Sequence, residues 1–154
     1  MKPTPQDKII AANLRPGSLC RDGFLGSDRR ELWEILAADD VAVTTRGLTH
    51  ERIADALGQA LRAAMAACGA PIELPGGLRG VYREAMGRIP CPWGHGEVFP
   101  KGEMELTHEP SGEGLRVTPL SVHLIAAHGF YQGLGSRYRI SPADTARLLG
   151  LVST

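Results

Sequence analysis

Between residues 28 and 69 apolar side chains recur every three or four positions, whereas from residue 71 onward they fall into short runs separated by turns. The first rhythm predicts helices and the second predicts strands. Asp28 followed by Glu31 has the form of a capping box, and Leu32, Ile35, Leu36 and Val43 then share one face, so a helix is expected over about 29–46, closed by Gly47. Thr49 is the next N-cap. Ile53, Leu57, Leu61, Ala64, Met65 and Cys68 continue as an apolar stripe to Gly69, which places Cys68 in the core. Joined only by Gly47 to Thr49, these two helices should form an antiparallel hairpin. Residues 1–27, rich in Pro, Gly and polar groups, read as an arm with at most a helical turn around Lys8 to Leu14.

In the second half, Ile72 to Leu74, the turn Pro75-Gly76-Gly77 and Leu78 to about Ile89 suggest one strand pair. Glu103 to His108 and Leu115 to Thr118, joined by a Pro/Ser/Gly loop, suggest another. Thr118-Pro119 opens a helix that Gly129 ends, and Ser141-Pro142-Ala143-Asp144 opens a last one. The expected fold is therefore α+β in a single domain: the arm, a helical hairpin over 28–69, and a β-rich half over 71–154 with helices near 119–128 and 142–149. The sheet should be small and mainly antiparallel. The helix over 119–128 is apolar around nearly its whole circumference and should be buried.

Composition narrows the function classes. Seventeen basic residues balance seventeen acidic ones, so no overall field draws the chain to nucleic acid or to an anionic membrane. No apolar run approaches the roughly 20 residues of a membrane span. Nor does a signal sequence follow Met1, so a cytoplasmic location is expected. Three well-separated cysteines, Cys20, Cys68 and Cys91, do not form a disulfide framework.

The apolar helix carries His123 and His128, and a buried imidazole needs a partner for each ring nitrogen. Core hydrogen bonds or a metal ion would both supply one. Leu120, His123 and His128 after a β-hairpin resemble the helical half of a two-Cys two-His zinc finger, over residues 91–128. The resemblance implies a zinc site in which the knuckle Cys91-Pro-Trp-Gly-His95 provides Cys91 and His95, and the helix provides His123 and His128. One thiolate and three imidazoles make a chemically sound tetrahedral shell. The pattern departs from a finger in having one knuckle cysteine and 27 residues between His95 and His123. Two histidines five apart are also separated by roughly 140° on an ideal helix, so the last turn is expected to loosen. His108 is an alternative fourth ligand. A different chemistry would make Cys91 a nucleophile activated by His123 or His128, in a small hydrolase or transferase.

After His128 the chain reads Gly-Phe-Tyr-Gln-Gly-Leu-Gly-Ser-Arg-Tyr-Arg. Phe130, Tyr131 and Tyr138 could stack on a ring, and Arg137 and Arg139 suit a carboxylate or phosphate, so a small anionic ligand or a protein partner is expected here. The alternative is that the aromatics anchor the loop on the core. The run His123 to Gly133, with Gly135-Ser136 and Tyr138-Arg139, resembles a family of small bacterial proteins without an assigned activity. Leu48 to Gly58 resembles the first helix of a helix-turn-helix reader, but the apolar period runs on through Gly58, which argues against sequence-specific nucleic-acid binding. Together these features suggest a non-catalytic binding or regulatory module.

Overall fold

The computed structural model describes residues 2–152. The fold is α+β, with five helices, a four-stranded sheet and a separate two-stranded hairpin. Helices α1 (Pro5–Asn13), α2 (Leu32–Thr44) and α3 (His50–Ala66) precede all strands. Strands β1 (Ile72–Leu74), β2 (Leu78–Arg83), β5 (Glu103–His108) and β6 (Gly114–Val117) form the main sheet in the order β1-β2-β5-β6, antiparallel throughout. Between β2 and β5 the chain makes a second antiparallel pair, β3 (Arg88–Pro90) and β4 (Val98–Pro100). Helices α4 (Pro119–His128) and α5 (Pro142–Leu148) follow β6.

Local chemistry accounts for most boundaries. The Thr49 hydroxyl accepts the Arg52 N–H at the start of α3. Thr118 and Ser121 cap α4 reciprocally with Pro119 in its first turn, and Gly129 ends it with φ +59. That left-handed conformation suits glycine. The start of α2 differs from expectation. Its N-cap is Glu31, answered by Glu34, while Asp28 instead accepts from Arg30 and from the Leu134 N–H. The arm is more ordered than its composition suggests: Thr4 and Asp7 form a capping box with Pro5 between them, and nine residues of helix follow.

Alternation along β2 and β5 turns Leu78, Tyr82, Met104 and Leu106 toward the buried stripe of α3, forming the larger apolar core. Cys68 is not part of it. Helix α3 ends at Ala66, and Cys68 turns out of register with φ +52 and is exposed. The turn at Gly47 connects α2 to α3, yet α3 packs most extensively on α4, and α2 leans on α5.

A second core joins Ile10, Leu14, Phe24, Ile35, Ile89, Cys91, Leu120, Leu124 and Phe130. Helix α4 is the wall between the two cores, giving Ile125 to the first and Leu120 and Leu124 to the second. Each such fully buried side chain contributes about 1.5–3 kcal/mol. The orientation of α4, and of the two histidines it carries, is thus fixed from both sides. No helix among the described residues is long and apolar enough to cross a membrane.

Candidate metal centre

The β3–β4 hairpin is the platform for the site. Its pairing ends at Pro90 opposite Val98, and the intervening chain folds into a knuckle closed by the bonds Cys91 N–H to Glu97 C=O (3.0 Å) and Gly94 N–H to Cys91 C=O (3.0 Å). Gly94 and Gly96 take φ +80 and +83, so the turn requires residues that tolerate the left-handed region. From α1, the Asn13 side-chain amide donates to the Pro92 carbonyl at 2.9 Å and ties the knuckle to the arm.

Cys91, His95, His123 and His128 converge here, each offering one ligand atom, with all four atoms within 4.8 Å of one another. Cys91 Sγ lies 3.4 Å from His95 Nε2 and 3.5 Å from His128 Nε2, and those two nitrogens are 3.0 Å apart. A zinc tetrahedron with Zn–N of about 2.0–2.1 Å and Zn–S of about 2.3 Å has N···N edges of about 3.3 Å and N···S edges of about 3.6 Å. The three observed separations therefore approximate one face of such a shell. The fourth member, His123, is mostly buried, and its Nε2 has no hydrogen-bond partner. An orphaned buried nitrogen beside three other donor atoms fits a metal-binding cluster.

The outer contacts specify which ring nitrogen faces inward. Glu97 places Oε1 3.7 Å from His95 Nδ1 and Oε2 3.5 Å from His123 Nδ1. A carboxylate on that side favours the proton on Nδ1 of both rings and leaves lone pairs at Nε2. Trp93 stacks on His128 with centroids 4.2 Å apart and planes 9° from parallel, and Phe99 covers His123 at 4.7 Å. Helix α4 stays α-helical through His128, so the expected loosening of its last turn does not occur. The two imidazoles meet edge-to-face at 5.4 Å.

Electrostatics make a proton a poor occupant. Burial, followed by the charges of His123 and His95, holds His128 down to about 4. Burial also lowers His123, against the opposing influence of Glu97. The Cys91 thiol is pushed up by burial, while the Trp93 and Gly94 backbone N–H groups pull the other way. At neutral pH, then, His123 and His128 are neutral and the Cys91 thiol, 2% exposed, is un-ionised. Such a thiol is a weak nucleophile. A divalent cation reverses that balance, because coordination deprotonates the thiol and satisfies the lone pairs together. The residues fit a closed site for zinc or a similar ion.

The remaining sequence candidates are dispersed. His108 lies in the β5–β6 hairpin, where its Nδ1 pairs with Ser111 Oγ at 2.7 Å, away from the cluster. Phe130 and Tyr131 are each 1% exposed and lie in the two cores, with no face free for a ligand. Arg139 makes a bidentate pair with buried Asp39 at 2.6 and 2.9 Å. Arg137 and Tyr138 line a cavity on the Glu103 side of the loop, and Arg137 and Arg139 line a second, shallower one beside β5 and β6. Sequence reasoning passed over Glu97; an acid two residues beyond a candidate histidine was the available signal.

Comparison of the chain with models of known protein families, with curated proteins and with solved structures finds no match.

Proposed function

We propose that this chain is a non-catalytic zinc-binding module in which Cys91, His95, His123 and His128 hold one ion that pins the β3–β4 knuckle to α4. The observation that carries the reading is the unpartnered buried Nε2 of His123 beside three donor atoms at near-tetrahedral spacing. Four protein ligands leave no open position for substrate, which is the pattern of a structural site rather than a hydrolytic one. The finger-like element is a variant. Here the knuckle belongs to β3–β4, and the β5–β6 hairpin of the main sheet intervenes before the ligand-bearing helix, which accounts for the long His95 to His123 spacing.

Metal analysis of protein purified without a histidine tag tests this directly. About one zinc per chain is expected, and cobalt substitution should give thiolate-to-metal charge transfer and intense tetrahedral ligand-field bands. Cys91→Ser should abolish the charge-transfer band. A metal content below a tenth of an equivalent that added zinc fails to raise would refute the proposal. The rival hydrolase reading predicts rapid alkylation of Cys91 near neutral pH, and its burial and raised pKa argue for slow alkylation.

A further inference from the structure

A cavity of about 420 Å³ opens between the arm and the start of β5, on a floor of Phe24, Ile89 and Leu120. It lies within the size range of small-molecule sites, which are mostly apolar with a few placed polar groups. The placed group here is Gln132. It lines the cavity, is only 4% exposed and sits at φ +70, a region that residues other than glycine rarely occupy. Its conformation is held from several sides: Ser136 Oγ donates to Oε1 at 2.7 Å, Arg139 donates to its carbonyl at 2.9 Å, and the following Gly133 N–H donates to the Phe24 carbonyl at 2.9 Å. With Oε1 so engaged, Nε2 makes no hydrogen bond among the described residues. An amide donor is thus kept, under backbone strain, at the wall of a largely apolar cavity. Strain of this kind concentrates at ligand sites.

The charged rim selects the sign of the ligand. Glu103 Oε1 accepts from Tyr138 Oη at 3.1 Å and faces Arg137 at 3.5 Å, while its buried Oε2 has no hydrogen-bond partner and has Arg116 at 3.6 Å as its counter-charge. Arg21, Lys101 and Asp22 also line the cavity. The lining therefore carries three cations, Arg21, Lys101 and Arg137, against two carboxylates, Asp22 and Glu103, and its net charge is positive. We propose that this cavity binds a small organic carboxylate with an apolar body, its head taken by Gln132 Nε2 and Lys101 and its body lying on Phe24, Ile89 and Leu120.

Titration of ¹⁵N-labelled, zinc-loaded protein with phenylacetate, with octanoate and with inorganic phosphate tests the assignment. Either carboxylate should move the Gln132 side-chain amide pair and the Lys101 backbone resonance saturably, and phosphate should not. Lys101→Glu, at an exposed position, and Gln132→Asn, which tolerates positive φ but draws the amide back, should each weaken binding roughly tenfold. The proposal is overturned if neither carboxylate gives saturable shifts by about 10 mM, near the weakest affinity a specific site would show. It is equally overturned if phosphate binds as well as the carboxylates, or if both variants bind like the parent. Metal content is measured on the same samples, so failure here and failure of the zinc reading are separate results.

Discussion

Two polar clusters meet α4 at its C-terminal end, and they differ in whether the protein satisfies them. In the first, Arg139 gives two N–H bonds to Asp39 and another to the Gln132 carbonyl, Asp40 accepts from His50 Nε2 at 3.0 Å, and the Tyr131 hydroxyl donates to His50 Nδ1 at 2.9 Å. Burial holds the Tyr131 phenol well above its usual range, so it stays a donor. The His50 ring also lies where a side chain on Gly129 would be, at 2.9 Å from a Cβ built there. Each of these polar side chains is paired inside the protein, and the cluster reads as a lock on the 129–140 loop. In the second cluster, Cys91 and three imidazoles crowd together with one nitrogen unpaired and a low capacity for protons. Buried polar residues alone do not mark a site; an unmet coordination demand does.

The contrast is tested most severely by removing the ion proposed for the second cluster. Chelation of the zinc-loaded protein, or Cys91→Ser, should lower unfolding free energy on the order of 5 kcal/mol, below the range for zinc fingers that have no other core. Urea denaturation with and without chelator measures it. If the midpoint stays where it was, the cluster is merely another hydrogen-bonded lock.

Next in size is the first cluster itself. Arg139→Met leaves Asp39 buried without its partner, a change that costs about 3–5 kcal/mol. Zinc should not alter this cost. Sites that share no partner add to within about 0.5 kcal/mol, so the loss measured with and without chelator should coincide. A coupling larger than that would mean the two clusters form one network through α4.

How much of this was legible in the chain depends on the range of each interaction. Thr49, Thr118-Pro119, Gly129 and Ser141-Pro142 act on their neighbours, so helix ends could be read directly. The Thr4-Pro5-Gln6-Asp7 cap was equally local and was outweighed by the composition around it. The break between β2 and β3 was hidden because Val81 to Ile89 contains no strong turn pair, and it matters because β3 carries Cys91. For the site, residue type and spacing suggested the four donors, but not Glu97, whose role exists only once the knuckle and α4 meet. Among the loop residues, sequence could not separate Phe130, Tyr131 and Arg139 from Arg137 and Tyr138. Asp39 is 100 positions from Arg139, and only the fold pairs them.

Glu97 offers a finer probe of the second cluster. It touches the Nδ1 side of two candidate ligands and not the ion, so Glu97→Gln should keep all four donors while loosening ring orientation and basicity. Zinc affinity, measured by competition with a chromophoric chelator, should fall about 10–100-fold, with cobalt spectra still tetrahedral. Unchanged affinity would reduce Glu97 to an exposed acid near two rings. Loss of the tetrahedral spectrum would instead make it a ligand.

The smallest effect concerns the metal-free protein and turns on sign. His128 in the fold is held down to about 4, below its ordinary value of 6.5, because burial disfavours the imidazolium. Unfolding exposes the ring and restores the ordinary value, so between those two pH values the unfolded chain binds the proton that the folded chain refuses. Stability must then decrease as pH falls through that window, and be full above it. His123 is shifted in the same direction and adds to the trend. After allowance for solvent screening, the loss from pH 7.5 to pH 5 should be about 1 kcal/mol, read from urea midpoints in chelator. His128→Gln, which cannot titrate, should flatten the slope. An unchanged slope in that variant would show that the pH response originates outside the candidate metal centre.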